Sequence, residues 1–390
     1  MKQNKCYTIT VFLLIGGSLL FNLLACSSAF CDIYTIHIYR LLSDIWGRVF
    51  ALFPFAMGEI LMYLGALLII LTIIIALLLI ILRKKHSYRR FAQGFLKSML
   101  VTVLSVILIY TLHWVIPYRS SLLGAGNTYQ MKNSASSASN SDTPSNRYTV
   151  RELGLLRSYI VENLNECCLT VPRDEEGHVI YPSTDSMQAE VTKAMQGISN
   201  EVPRLTGYYP PMKTALCSDV LDWMGIGGYT YPYTMEITIN QYVSDLYYPT
   251  LISHEAAHHQ GYYQENEANF LSYLGCSRSD DPILRYSAYL YIYSYIDSDY
   301  FQALSESVTD PSELKNYGDD VLPQVWTDDW EAFMKSEEIY EADSHPLEEF
   351  SDTASDVAEV GWDTQAEIIQ ENGYDSVVEL MLNYYDGILY

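Results

Sequence analysis

The residues richest in chemistry lie in one stretch, "PTLISHEAAHHQGYYQENEANFLSYLGC" (Pro249–Cys276). It contains His254-Glu255-Ala256-Ala257-His258, a His-Glu-x-x-His pattern. Side chains at i and i+4 of a helix share a face, so both imidazoles can reach one metal ion. The glutamate between them projects beside that ion. There it can take a proton from an attacking water and hand it to a leaving amine. Five letters are a short signal, so the surroundings matter. A catalytic zinc site takes three protein ligands and keeps a fourth position open. Glu265 follows Gly261, and a glycine there lets the chain reverse so that the next helix runs back past the metal. Asn269, one turn beyond Glu265, is placed to hydrogen-bond a ligand histidine and fix its ring. Glu267 is the rival third ligand. It points about 160° away from Asn269 on a helix, so Glu265 is the expected ligand. His259 points to another face and is expected to be an exposed or hydrogen-bonded histidine.

Peptidases built on such a helix hold substrate as an added strand on a sheet edge. The alternating "YTMEITIN" just upstream is the expected edge; a buried strand without substrate contact is the alternative. Tyr229, Tyr231, Tyr262 and Tyr263 are candidates to stabilise an oxyanion. With 34 tyrosines in the chain, packing is the commoner role for any one of them.

Several elements must carry this site. "TVRELGLLRSYIVENLNEC" places Leu153, Leu156, Tyr159, Ile160 and Leu164 near helical spacing, with Thr149 as N-cap. "DSMQAEVTKAMQGISNEV" reads as a second helix. "YTMEITINQY" (Tyr233–Tyr242) reads as a strand. "PTLISHEAAHHQ" reads as a helix that Gly261 ends, and "ENEANFLSYLGC" as the helix after it. "DPILRYSAYLYIYSYIDSDYF" is a further long helix. The expectation is an α+β, mainly helical, zincin-like domain over residues 150–390. A Ser/Asn/Gly-rich linker over 124–149 precedes it.

Residues 1–123 read as a membrane region. Three apolar segments, about 7–26, 57–82 and 91–117, reach the ~20 residues needed to cross a bilayer. A cleaved signal peptide ending near "LLAC" (Leu23–Cys26) is the alternative for the first. "RKKHSYRR" (Arg83–Arg90) is expected on the cytoplasmic side, which makes the C-terminal domain extracytoplasmic in a multi-pass protein of the cell membrane. Between the first two segments, Asp32–Phe55 has apolar residues at helical spacing. It fits either an amphipathic helix on the membrane surface or a loop packed on the soluble domain. Charge divides with the regions. Residues 1–146 hold twelve Lys/Arg and four Asp/Glu, whereas the remainder holds eleven and forty-three. So acidic a domain repels phosphate, which excludes nucleic acid as its partner. Four of the seven cysteines (Cys167, Cys168, Cys217, Cys276) lie in the expected external domain, where disulfides form. With no Cys-x-x-Cys, a cysteine-type zinc site has no support.

Four segments, "PFAMGEILMYLG", "GIGGYTYPYTMEITIN", "HEAAHHQGYYQENEANFLSYL" and "ENGYDSVVELMLNYYDGI", occur in that order. Together they resemble the bacterial membrane-protein family called domain of unknown function 3810. That family is similar to gluzincin peptidases in its His-Glu-x-x-His and following Glu-x-Glu-Ala-Asn. The resemblance implies a zinc peptidase fold with His254, His258 and a downstream glutamate as ligands and Glu255 as catalyst. It implies no substrate. Gluzincins place Asp where this chain has Asn269, and their gap before the third ligand is longer. The expected activity is hydrolysis of a peptide or protein substrate. The alternatives are a non-catalytic metal-containing module that binds a peptide or wall fragment, and a helix pair with no metal.

Overall fold

The computed structural model describes residues 2–82, 84–123, 148–308, 314–334 and 376–390. Nearly all of the expected linker, residues 124–147, lies outside the described residues, as does the acidic segment 335–375. The chain is mostly helical and divides into two units. The first comprises Met1–Ser121, Gly207–Leu216 and Thr230–Thr238; the second comprises Leu122–Thr206, Cys217–Tyr229 and Ile239–Tyr390. These units cut the chain differently from a single break at the linker, because two short segments from beyond residue 150 group with the N-terminal helices.

In the first unit, three helical stretches are long and apolar enough to cross a membrane: Lys5–Leu24, Met57–Ile81 and His86–Tyr118. They belong to α1 (Lys2–Leu24), α4 (Met57–Ile81) and α5 (His86–Tyr110), the last continued by a π-turn and α6 (Ile116–Tyr118). Between α1 and α4 the chain stays helical through α2 (Ser28–Tyr34), a π-turn (Thr35–Tyr39) and α3 (Arg40–Phe50). The returning segments bring charge to the start of α4. Glu236 is buried, pairs with Lys213, and accepts hydrogen bonds from the amides of Met57 (3.1 Å) and Gly58 (2.7 Å). A carboxylate there satisfies amides that a helix start leaves unpaired and complements its dipole. Glu59, one position further on, is fully buried and accepts from the amide of Leu216 at 2.6 Å.

A three-stranded sheet has the order β1-β3-β2, with β1 at Lys213–Thr214, β2 at Gly228–Tyr231 and β3 at Glu236–Ile239. The strand read from "YTMEITINQY" is therefore shorter than expected. It is also the central strand, buried along its length, and not the expected edge. The tight turn before it, with Met235 at φ 57°, folds β2 back against one side of β3. A strand order of this kind depends on β1, more than twenty residues away, and no local alternation encodes it.

The second unit is helical. A capping box between Thr149 and Glu152 starts α7 (Val150–Thr170). Leu153, Leu156, Ile160, Val161 and Leu164 are buried on its inner face. Each buried leucine or isoleucine contributes roughly 1.5–3 kcal/mol. α8 (Thr184–Gly197) is capped by Ser183, and a 3-10 turn (Pro203–Thr206) follows. α10 (Tyr248–His259), α11 (Glu265–Ser277) and α12 (Pro282–Ser307) form the centre. Small hydroxyls hold these three together: Ser253 to Ser272 at 2.7 Å, Ser272 to the Thr250 carbonyl at 2.8 Å, and Thr250 to Ser287 at 3.1 Å. Such short side chains let α10 and α11 approach closely, which fixes the distance between the histidines on one and the carboxylates on the other. All seven cysteines are free thiols.

Candidate metal centre

α10 ends at His259 with Gln260 as its C-cap, and Gly261 follows with φ 91°, a left-handed conformation that favours glycine. The reversal brings the first residue of α11, Glu265, back over the histidine face. The Nε2 atom of His254 lies 3.2 Å from one Glu265 oxygen, and the Nε2 atom of His258 lies 3.6 Å from the other. The imidazole centroids are 4.5 Å apart and nearly perpendicular. Three ligand atoms, one from each residue, lie within 4.8 Å of one another. A tetrahedral zinc ion ~2.1 Å from each donor needs donors separated by roughly 3.4 Å. The two nitrogen-to-oxygen distances bracket that value, and two imidazoles with a carboxylate are a donor set zinc accepts. The residues fit the ion.

The structure brings His254, His258 and Glu265 together and sends Glu267 elsewhere. Glu267 is buried, and its carboxylate accepts a hydrogen bond from the amide of Leu123. Glu255 is 4 % exposed on α10, and its charge is felt at both His258 and Tyr247. Asn269 does not orient a histidine ring. Its Oδ1 accepts from the Tyr291 hydroxyl at 2.8 Å, and Nδ1 of His254 is buried without a hydrogen-bond partner among the described residues. Asn269 sits one turn along α11, where α12 packs, so Tyr291 reaches it first. His259 is fully buried, so of the two expectations for it, exposed or hydrogen-bonded, the exposed one does not hold.

His258 is fixed by its own turn. Its Nδ1 lies 2.7 Å from the Tyr262 carbonyl. A carbonyl only accepts, so Nδ1 carries hydrogen and Nε2 is the nitrogen turned to Glu265. Arg204 holds that turn from outside. It donates to the Gly261 carbonyl at 3.0 Å, and its guanidinium lies 3.9 Å from the centre of the Tyr262 ring. Tyr263 stacks on His258 at 5.9 Å. Tyr262 and Tyr263 thus act as walls and, through one carbonyl, as an anchor.

The charges are mutually supporting. Burial disfavours the charged form of His258, but the hydrogen bond and charge of Glu265, helped by Glu255, outweigh it and push its pKa up to about 9. Burial likewise opposes charge on Glu265, yet its hydrogen bonds from His254 and His258 hold it well below the usual carboxylate range. Beside them stands a tyrosine group. The Tyr247 ring stacks on Tyr291 at 5.7 Å, and the Tyr291 and Tyr295 hydroxyls are 3.1 Å apart. Burial, then the charges of neighbours that include Glu265, raise both Tyr247 and Tyr291 above the ordinary phenol range. They therefore remain protonated donors at neutral pH. Sequence reasoning missed these three. The i, i+4 pair Tyr291–Tyr295 on α12 was a signal, but one submerged among many tyrosines.

A second group of possible ligands, Asp174, Glu176 and His178, lies exposed on the loop between α7 and α8. Such acidic loops are common without an ion.

The model of a family described as "Protein of unknown function (DUF3810)" matches residues 34–357. No curated protein and no solved structure matches the chain.

Proposed function

The chain belongs to the DUF3810 family, and on that premise we propose that it is a membrane-anchored zinc metallopeptidase that hydrolyses peptide bonds on the outer face of the cytoplasmic membrane. The observation that carries this reading is the convergence of His254, His258 and Glu265, with Glu255 between the two histidines on the same helix. His254, His258 and Glu265 would hold Zn²⁺, which supplies Lewis acidity toward a peptide carbonyl and toward water. Glu255, buried beside His258, is the general base: it takes a proton from the attacking water and passes it to the leaving amine. Tyr247, which burial keeps protonated beside the two glutamates, is the donor for negative charge as it develops on the substrate. The basic run Arg83–Arg90 follows Met57–Ile81, which supports an extracytoplasmic site for residues beyond His86–Tyr118.

The test separates an enzyme from a binding module. Glu255→Gln keeps the shape and removes the basicity. The purified full-length wild type and variant are expected to bind about one zinc per chain. Only the wild type cleaves members of a peptide library, with general-base loss lowering the rate ~10²–10⁴-fold. A peptide hydroxamate, which chelates an open zinc position, binds both forms. Zinc retained by both with no cleavage by either favours a non-catalytic module that binds a peptide or wall fragment. Zinc with no hydroxamate binding means that the fourth position is closed, and the peptidase reading fails.

A further inference from the structure

The helical run α2–π-turn–α3 buries Cys31, Tyr34, Thr35, Tyr39, Ser43 and Gly47 on one side, and a second apolar stripe faces outward. On its outward side Ile38, Leu41, Ile45 and Val49 recur at helical spacing, exposed by 48 %, 60 %, 48 % and 41 %. Water would penalise that arrangement by ~25 cal/mol for each Å² of apolar surface. The charged residues beside this stripe are already engaged. Asp44 accepts from the amide of Tyr208 at 2.9 Å, and the Arg48 guanidinium lies 4.1 Å from the centre of the Tyr208 ring.

Both ends of the run are tied to the ends of apolar helices. Near its start, Asp32 accepts from the amide and the hydroxyl of Ser121 at 2.7 and 2.8 Å, just past the end of α6. At its end, Lys213 donates to the Phe50 carbonyl at 2.9 Å. The same lysine pairs with Glu236, which caps the start of α4. Met57–Ile81 and His86–Tyr118 are joined by a short turn. If both cross a bilayer, the start of the first and the end of the second lie on the same face. A helix tethered to both points remains on that face. Its Asp32, Arg40, Asp44 and Arg48 exclude it from the hydrocarbon core in any case.

We propose that Ser28–Phe50 is an interfacial helix that lies in the plane of the membrane and buries Ile38, Leu41, Ile45 and Val49 at the boundary of headgroups and acyl chains. Lipid is the occupant because both tethers place the stripe at the level where the apolar helices enter the bilayer. His37, exposed on its flank, reaches the headgroup layer. Trp46, 36 % exposed, suits the same depth. The inference is independent of the metal centre.

The test uses the full-length chain in vesicles of phosphatidylethanolamine and phosphatidylglycerol. The photo-cross-linker benzoylphenylalanine replaces Ile45 and, separately, Val49. Leu67, exposed on α4, is the lipid-facing reference, and Leu169, 77 % exposed on α7, the aqueous one. The expected result is lipid adducts at Ile45 and Val49 in yields comparable with Leu67, and their loss at Leu169. A protein cross-link at both positions, whether to a second copy or to another segment of this chain, overturns the proposal. So does the absence of any adduct at both, which marks a stripe open to water. Circular dichroism and gel filtration of each labelled chain establish that it is folded before irradiation, and Leu41 replaces a position whose label prevents folding.

Discussion

Two imidazoles and a carboxylate meet because of residues whose spacing is local. His254 and His258 share a helix face by periodicity alone, and Gly261 returns the chain so that Glu265 faces them. This part was legible in the sequence. The partner of Asn269 was not, because Tyr291 lies on another helix twenty-two residues away. Removing one ligand leaves two, so His254→Ala, His258→Ala and Glu265→Ala are each expected to abolish stoichiometric zinc. Glu267→Ala is expected to keep it, since that carboxylate serves the Leu123 amide. Metal analysis of the purified variants checks this, and zinc loss from Glu267→Ala with retention in Glu265→Ala reverses the assignment. The same residues set a pH dependence. His258 holds its proton up to about pH 9 because Glu265 faces it. A metal ligand must surrender that proton, so zinc competes with it below pH 9. Apparent zinc affinity is expected to rise ~10-fold per pH unit from pH 7 toward 9 and then level off. Chelator competition at several pH values measures the slope, and a flat profile would show that no ligand proton is displaced.

At the scale of elements, the helices of the second unit followed from periodicity and caps. Thr149 and Glu152 form the capping box that starts α7, and Gly261 separates α10 from α11. The strand around Ile237 was also visible, but its central place was not, since a two-residue partner such as β1 leaves almost no pattern. Equally hidden was the way a distant 3-10 turn supports the site. Arg204 grips the Gly261 carbonyl and the Tyr262 ring, and the Tyr262 carbonyl in turn orients His258. Arg204 is thus a positioning residue that touches no ligand atom. Arg204→Met removes the hydrogen bond and the cation–π contact and keeps much of the side chain's bulk. By analogy with other residues that orient metal ligands, it is expected to weaken zinc binding ~10–100-fold. A purely structural role would lower the melting temperature of the metal-free protein and leave the zinc affinity of the folded fraction unchanged. Visible absorption of the Co²⁺-substituted protein discriminates further, because a rotated His258 changes the ligand field.

The whole molecule joins a basic, apolar N-terminal region to an acidic remainder, and composition alone made that division legible. What composition concealed is that Gly207–Leu216 and Thr230–Thr238 group with the membrane helices. Lys213 and Glu236 explain this: a buried ion pair holding the start of α4 requires both segments to be there. Breaking such a pair leaves an uncompensated buried charge and typically costs ~3–5 kcal/mol. Orientation is the remaining property of the whole chain. Three apolar helices place the two termini on opposite faces if each crosses. Five Lys/Arg fall within Arg83–Arg90 of the sequence, between the apolar stretches of the second and third helices, and Lys2 and Lys5 stand at the start of the first. Basic residues near helix ends resist translocation. The expected orientation therefore has both groups in the cytoplasm and the residues beyond Tyr118 outside. A reporter fused after Tyr390 is expected to be active only in its extracytoplasmic form. Replacing Arg83, Lys84, Lys85, Arg89 and Arg90 by uncharged residues removes most of the bias, and a mixed population of the two orientations is the expected outcome. Cytoplasmic activity from the unaltered chain would invert the topology. It would put His254 among cytoplasmic substrates and leave the free thiols of Cys167, Cys168, Cys217 and Cys276 in a reducing compartment.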